Sequence, residues 1–325
     1  MTRRVLVTGG AGFIGSHVAD AFLAAGNDVT VIDNLSRGRP QQVPRAAEFR
    51  QLDVGSEEAR ALVAGGKFEV IVHLAAQVDV RVSVSDPVFD AEENLLALLA
   101  LLEGARAGGT RRIVFSSSGG VVYGERRPPL VETAPKFPIS PYGVTKLAAE
   151  YYLGCYAQLY GLETVALRYS NVFGPRQDPH GEAGVVAIFG NRLRQKKALT
   201  IYGDGNQTRD YVYVADVARA NVLAADAALP PLDGTIDARA FNIGTGIETS
   251  VNALAQAMIK ASGVEVAVEH APARGGELLA NALTADKAAR VLGWSPKISF
   301  KKLAKIMVDA DFKKVSAGAV VEDEI

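Results

Sequence analysis

In Ser140-Pro141-Tyr142-Gly143-Val144-Thr145-Lys146 a phenol and an ammonium stand four residues apart. On a helix that spacing puts both side chains on one face. A phenol titrates near ~10 in water and is no base at neutral pH. A neighbouring ammonium favours the phenolate and brings it into range for proton transfer. Upstream, Ser116-Ser117-Ser118 offers hydroxyls that could hold a substrate oxygen and relay the proton. Alone, the Tyr–Lys pair would read as an ordinary surface contact. Its company changes that reading.

Gly9, Gly12 and Gly15 recur three apart in Gly9-Gly10-Ala11-Gly12-Phe13-Ile14-Gly15, between a strand-like run and a helix-like one. Glycine permits the sharp turn, lets backbone N–H groups approach a pyrophosphate, and allows close helix–strand packing. The helix start adds unpaired donors and partial positive charge. Asp33 then ends the second apolar run. A carboxylate there accepts bonds from ribose hydroxyls and repels a 2′-phosphate, which favours NAD over NADP; Arg37 nearby leaves NADP use open. Asp53-Val54 stands where an adenine contact is usual, although a helix N-cap explains Asp53 almost as well. Leu74-Ala75-Ala76 is small enough for close backbone approach to a cofactor. His73 reads as a packed residue with no chemical role.

Those residues need a scaffold that presents strand ends side by side. Strands are expected at Arg4–Thr8, Asp28–Asp33, Glu48–Asp53, Val70–Leu74 and Arg111–Ser116, with helices at Ile14–Ala25 and Glu92–Ala107 between them. Near-continuous apolar strands alternating with helices mean βαβ units and a doubly wound parallel sheet. The fold class is therefore α/β: a Rossmann domain with a smaller mixed α/β substrate lobe. After Asn171 the rhythm changes. Phe173–Gly184, rich in Gly, Pro, His and Asp, reads as a long ligand-touching loop. A helix (Val185–Gln195), a strand (Leu199–Tyr202), a strand and helix in Tyr211–Ala225, and a strand at Phe241–Gly244 come next. The expected division is a cofactor domain over 1–172, rejoined by 211–245, and a substrate lobe from 173–210 and 246–315. Residues 316–325 are expected to fray.

Composition excludes several classes. Of 325 residues, 48% are hydrophobic and 22% charged, an ordinary globular balance. Lys+Arg number 35 against Asp+Glu 36, so no global positive field marks nucleic acid as a partner. One cysteine, Cys155, excludes an internal disulfide framework. The longest apolar stretch, Leu95–Leu102, is far shorter than the ~20 residues of a membrane span. No signal peptide is read at the N-terminus, so a cytoplasmic location is expected. No metal site is expected.

Thr8–His17, Asp33-Asn34-Leu35, Ser116–Gly124, Ser140–Lys146, Leu167–Asn171, Gly203–Tyr213 and Asn242-Ile243-Gly244-Thr245-Gly246 together resemble the extended short-chain dehydrogenase/reductases. Within them the chain resembles the NAD-dependent epimerase/dehydratase family, most nearly its UDP-glucose (UDP-galactose) 4-epimerases. The resemblance runs to about Trp294. It implies NAD held through Gly9, Gly12, Phe13, Ile14, Gly15, Asp33, Asn34, Asp53, Val54, Leu74, Ala75, Asn94, Ser116, Tyr142, Lys146, Tyr169 and Val172. It implies Tyr142 as acid/base, Lys146 as its tuner and ribose ligand, and Ser118 as polar partner. One residue more than usual separates Ser118 from Tyr123, which keeps Ser117 as the alternative. For the nucleotide-sugar it implies Asn171, Arg209, Arg274 and Glu277. An Arg forks onto phosphate oxygens and an acid accepts from ribose hydroxyls. Arg209, next to Asp210, could instead form an ordinary ion pair.

The residues just after the serines point to the reaction. Dehydratases resembling this chain carry an acidic pair there and decarboxylases a Glu; this sequence has Gly119-Gly120 and no titratable group until Glu125. The remaining fate of a 4-keto sugar is return of the hydride to its opposite face, which is 4-epimerisation of a UDP-hexose. Epimerisation of a UDP-uronic acid, another nucleotide-sugar reductase or dehydratase, and a catalytically silent NAD-binding sensor stay open. Asn281, four beyond Glu277, falls where the family's sugar pocket is gated; an amide in place of a bulky aromatic is expected to admit N-acetylated sugars as well. Asn94–Leu102 and Tyr142–Tyr160 are apolar on more than one side, which predicts an isologous homodimer of paired helices.

Overall fold

The first half of the chain alternates short β-branched runs with helix formers, and in the computed structural model each run becomes a strand of one sheet. The structure describes residues 2–179, 184–273 and 278–298. In chain order, β1 (Arg4–Thr8), α1 (Phe13–Ala24), β2 (Asp28–Asp33), β3 (Glu48–Gln51), α2 (Glu57–Gly65) and β4 (Val70–His73) come first. After them come α3 (Val80–Ser85), α4 (Pro87–Ala91), a π-helical turn (Glu92–Leu96), α5 (Ala97–Gly108), β5 (Arg112–Ser118), α6 (Pro141–Tyr160) and β6 (Glu163–Tyr169). Beyond them lie β7 (Asn171–Phe173), α7 (Val185–Arg194), β8 (Leu199–Tyr202), β9 (Thr208–Arg209), β10 (Tyr211–Tyr213), α8 (Val214–Asp226) and β11 (Ala240–Ile243). β12 (Thr249–Ser250), α9 (Val251–Ser262), β13 (Val268–Ala271) and α10 (Asp286–Leu292) complete the described strands and α-helices.

Seven strands form one parallel sheet in the order β11-β6-β5-β4-β1-β2-β3. The chain winds outward in one direction from β1 and then in the other from β4. The carboxyl ends of these two neighbours therefore leave a crevice, where such sheets bind ligands. Alternate strand residues serve opposite faces. Val5, Val7, Val72 and Val114 pack with Val18 and Phe22 of α1 and Val217 of α8. Leu6, Ile71, Ile113 and Phe115 pack with Val63 of α2, Leu98 of α5 and Leu153 of α6. A separate cluster joins Phe189 and Leu193 of α7, Leu199 and Ile201 of β8, and Leu254 and Met258 of α9. Among the described residues no helix is long and apolar enough to cross a membrane.

Three of the differences from the sequence reading bear on the site. The fifth strand continues to Ser118, because its pairing with β6 runs on to Ser118↔Tyr169. β6 itself was not among the expected strands: Arg168 interrupts its apolar pattern, yet that residue is fully buried. The helix expected from Glu92 opens as a π turn around Asn94, whose buried amide donates to the Gln77 carbonyl and to Asp90 Oδ1, each at 2.9 Å.

The polar interior explains Arg168. Its Nη2 meets Glu150 Oε2 of α6 at 2.6 Å and Asp237 Oδ1 at 2.8 Å, and its Nη1 donates to Tyr123 Oη at 3.0 Å. The Ser117 hydroxyl donates to Glu150 Oε1 at 2.5 Å. Removing one member of a buried ion pair leaves an uncompensated charge. Glu150→Ala is expected to cost about 3–5 kcal/mol of stability, read as a lower denaturant midpoint at unchanged slope. A loss under ~1 kcal/mol would show that Asp237 alone satisfies the guanidinium.

Candidate active site

At the crevice a cleft of about 970 Å³ runs from the glycine turn to the end of β5 and on to residues 278–281. All the described residues named above as site candidates line it except Asn94, which lies behind the wall. Arg274 and Glu277 lie outside the described residues.

The cofactor end is built by backbone. Gly9 has φ +68°, and a Cβ on it would lie 2.7 Å from the Ala75 nitrogen. A Cβ on Gly15 would meet the Gly9 carbonyl oxygen at 2.1 Å. Only glycine lets α1 start this close to β1 and β4. No side chain caps α1, so its first turn presents N–H groups to the cleft at Phe13 and Ile14. This cradle fits a dinucleotide pyrophosphate. Asp33 accepts the Ala11 N–H at 3.0 Å and the Leu35 N–H at 2.8 Å, tying the glycine turn to the end of β2. Asn34 donates to Asp53 Oδ2 at 2.8 Å, and Asp53 Oδ1 accepts the Gly55 N–H at 2.8 Å.

Thr8 fixes the next strand end. Its hydroxyl oxygen accepts the Leu74 and Ala75 N–H groups, each at 3.1 Å, and lies 2.8 Å from His73 Nδ1. With two donors on the oxygen, its own proton points at the ring nitrogen. Burial, aided by the Lys146 charge, pushes His73 down to about 3, so the ring is neutral and packed, as expected.

At the chemical end, Ser140 caps α6 by accepting the Gly143 N–H at 3.2 Å, and Pro141 opens the helix. Lys146 Nζ donates to the Ser116 carbonyl at 3.0 Å, 4.8 Å from the Phe115 ring centre and 5.7 Å from that of Tyr142. Burial pushes its amine down to about 8, while Asp90 and Glu150 act in the opposite direction. Asp90 is itself buried and accepts from Thr145 Oγ1 and Gln77 Nε2, each at 2.9 Å. Ser117 and Ser118 point to opposite sides of β5. The Ser117 hydroxyl is taken by Glu150, and Ser118 lines the cleft. Among the described lining residues from Ser116 to Val172 there is no carboxylate. Tyr169 closes this end, its hydroxyl donating to Asn221 Oδ1 at 3.0 Å; burial holds the phenol above its usual range.

On the far wall, Arg209 reaches the cleft from β9, its Nη1 donating to the Thr208 carbonyl at 2.8 Å. It forms no ion pair with Asp210 among the described residues. Asn171 lies at the start of β7, and Asn281, only 1% exposed, donates to the Gly119 carbonyl at 3.2 Å. The loop after β7 lines the cleft at Arg176, Gln177 and Asp178. It is held to the cofactor side by Arg39–Asp178 at 3.1 Å and by Gln42 Nε2 on the Arg176 carbonyl at 3.1 Å. Sequence reading singled out none of these pairs, since no local pattern links residues so far apart. It also passed over Glu93, whose carboxyl lines the cleft and is raised first by burial and then by Asp53 and Glu92. Among the described residues no group of His, Cys, Asp and Glu could hold a metal ion.

The chain is 44% identical over 304 residues to the UDP-glucose 4-epimerase of Mycolicibacterium smegmatis, covering 91% of this chain and 94% of that protein. Its fold superposes on the Thermotoga maritima UDP-glucose 4-epimerase solved with UDP-glucose, with TM-score 0.90, 42% identity and coverage of 96% and 99%. The Thermus thermophilus UDP-glucose 4-epimerase solved with NAD superposes with TM-score 0.86 at 43% identity, covering 98% and 100%. The profile of the NAD dependent epimerase/dehydratase family matches residues 5–244, which include the glycine turn, the serines of β5 and the Tyr142 helix. Similarity therefore extends over the residues that shape the cleft, and the chain belongs to the NAD dependent epimerase/dehydratase family.

Proposed function

We propose that this chain is a cytoplasmic UDP-hexose 4-epimerase that keeps NAD bound through turnover. The observation that carries the reading is the grouping at the end of β5. A Tyr–Lys pair on α6 faces the Ser118 strand end, and no described lining carboxylate from Ser116 to Val172 could remove a second group. The glycine turn, Asp33 and Asp53 would hold the dinucleotide, with Lys146 toward its ribose. When bound, the nicotinamide supplies a reversible hydride acceptor for the sugar carbon. Tyr142 takes the proton of the sugar 4-hydroxyl and returns it, and Ser118 holds that oxygen. Lys146 keeps positive charge beside the phenol. Asn171, Arg209, Arg274 and Glu277 would carry the nucleoside diphosphate, with Asn281 bordering the sugar. Because the hydride must be given back, cofactor exchange serves no purpose.

The test is to incubate the purified protein with UDP-glucose, UDP-galactose and their N-acetylated counterparts and to separate the 4-epimers. Interconversion of both pairs is expected without added NAD. Tyr142→Phe should abolish turnover while leaving NAD bound. Strict consumption of added NAD would instead mean a dehydrogenase.

Lys146 yields a separate prediction. Its cation is lost as pH rises past about 8. Lys146→Met should lower activity at neutral pH by ~100-fold or more and regain part of it as pH climbs toward ~10, where a phenol ionises unaided. A profile parallel to that of the parent protein would remove Lys146 from the proton step.

The homodimer is proposed on a revised footing. Leu98, Leu101 and Leu102 of α5 are buried within the subunit, so that helix offers less than its sequence suggested. Val144, Tyr151, Tyr152 and Leu159 of α6 are exposed, as are Val88 and Leu96 on neighbouring segments. A self-complementary pairing would cover this apolar face. Light scattering at micromolar concentration should give twice the chain mass; a monomer would refute the pairing.

A further inference from the structure

Arg209 reaches the cleft from a two-residue strand, which cannot fix its own position. The next residue can. Asp210 is fully buried, and among the described residues no cation pairs with it. Neutral donors from two other segments fill its carboxylate instead. The Thr245 N–H reaches both oxygens at 2.9 Å and the Thr245 hydroxyl reaches Oδ1 at 2.5 Å. The Gly246 N–H reaches Oδ2 at 3.1 Å and the Leu283 N–H reaches it at 3.2 Å. A third segment is held by the backbone: the Asp210 carbonyl accepts the Asn171 N–H at 3.0 Å and the Ser170 hydroxyl. A Cβ on Gly244 would lie 2.5 Å from Asp210 Oδ2, so the Asn242–Gly246 motif approaches this carboxylate closely through its glycine.

The held segments carry the far wall of the cleft. Asn171 begins one, and Arg209 precedes Asp210 directly. Asn281 lies two residues before Leu283, its own N–H on the Thr208 carbonyl at 3.2 Å. β12, just beyond the Thr245–Gly246 turn, pairs with β9 through Thr249↔Arg209. None of these contacts touches the glycine cradle or the Tyr142–Lys146 pair.

We propose that Asp210 is the positioning residue of the substrate wall, setting the register of Asn171, Arg209 and Asn281, so that affinity for the UDP-sugar depends on it while the proton chemistry does not. The inference rests on the reading that these three residues take the substrate.

The experiment uses the purified protein with its bound dinucleotide. Asp210→Asn keeps the size but turns an NH₂ toward N–H donors. It should raise the KM for UDP-galactose and the calorimetric Kd for UDP about tenfold or more, with kcat within ~threefold and bound NAD per chain unchanged. Thr245→Val removes one hydroxyl contact and should move the same two constants in the same direction, by about two- to fivefold. Should Asp210→Asn fail to fold, the Thr245→Val result decides alone. Unchanged KM and Kd, or loss of kcat and of bound NAD at constant UDP affinity, overturns the proposal. Arg209→Ala separates the two readings. If it leaves UDP affinity unchanged, the substrate reading of this wall is wrong. If it weakens UDP while the Asp210 and Thr245 variants do not, only the positioning role falls.

Discussion

The Glu150 carboxylate is shut away from water, and it can stay there only because Arg168 and Ser117 are with it. Desolvating a lone carboxylate is prohibitive, whereas a forked guanidinium and a hydroxyl fill its lone pairs. The consequence is geometric. Glu150 lies on α6 one turn beyond Lys146, Arg168 lies on β6, and Ser117 lies on β5. One network therefore fixes the helix against two strands. With the Ser117 hydroxyl turned toward Glu150, strand alternation turns Ser118 into the cleft. Lys146 meets the Ser116 carbonyl one residue earlier. The chemical end is thus set by a lock on its far side.

The cofactor end obeys the opposite rule. It is shaped by side chains that are absent. Gly15 packs against Gly9, and Gly9 against Ala75, at distances that no Cβ allows. Thr8 and Asp33 add the few polar contacts that hold three strand ends level. Backbone donors near a phosphate need no rotamer to be frozen, so little conformational entropy is lost on binding. A cleft made this way suits a ligand that stays in place, while the wall carrying Arg209 is made of short strands and turns.

Local pattern explains which parts of this were legible in the sequence. The glycine turn, Asp33, Ser116–Ser118 and the Tyr142–Lys146 helix declare themselves within a few residues each, and strand and helix periodicity place them at one sheet edge. Leu199–Tyr202 is legible to the residue, and Val185–Gln195 to within one. What stays hidden depends on partners distant in the chain. β6 escapes notice because Arg168 looks like a surface residue until Glu150 and Asp237 are beside it. Asn94 cannot be placed behind the wall without Gln77 and Asp90. That the Ser117 hydroxyl is engaged by Glu150 is equally hidden, because Glu150 carries no motif of its own. In each case burial of a polar group is the missing fact, and burial is a property of the whole fold.

Asp210 and Glu150 solve the same problem differently, and the difference bears on Arg209. A helix and a sheet meet through long side chains, so a cation can be brought to Glu150. Turns meet through backbone, which can offer Asp210 only N–H groups and one hydroxyl. The ion pair that adjacency in sequence suggested does not form, and donors from two other segments already fill the carboxylate. Had Arg209 paired with Asp210, its charge would have been spent within the protein. Because neutral donors satisfy Asp210, the guanidinium is left to line the cleft; under the proposed function an anionic diphosphate would meet it there.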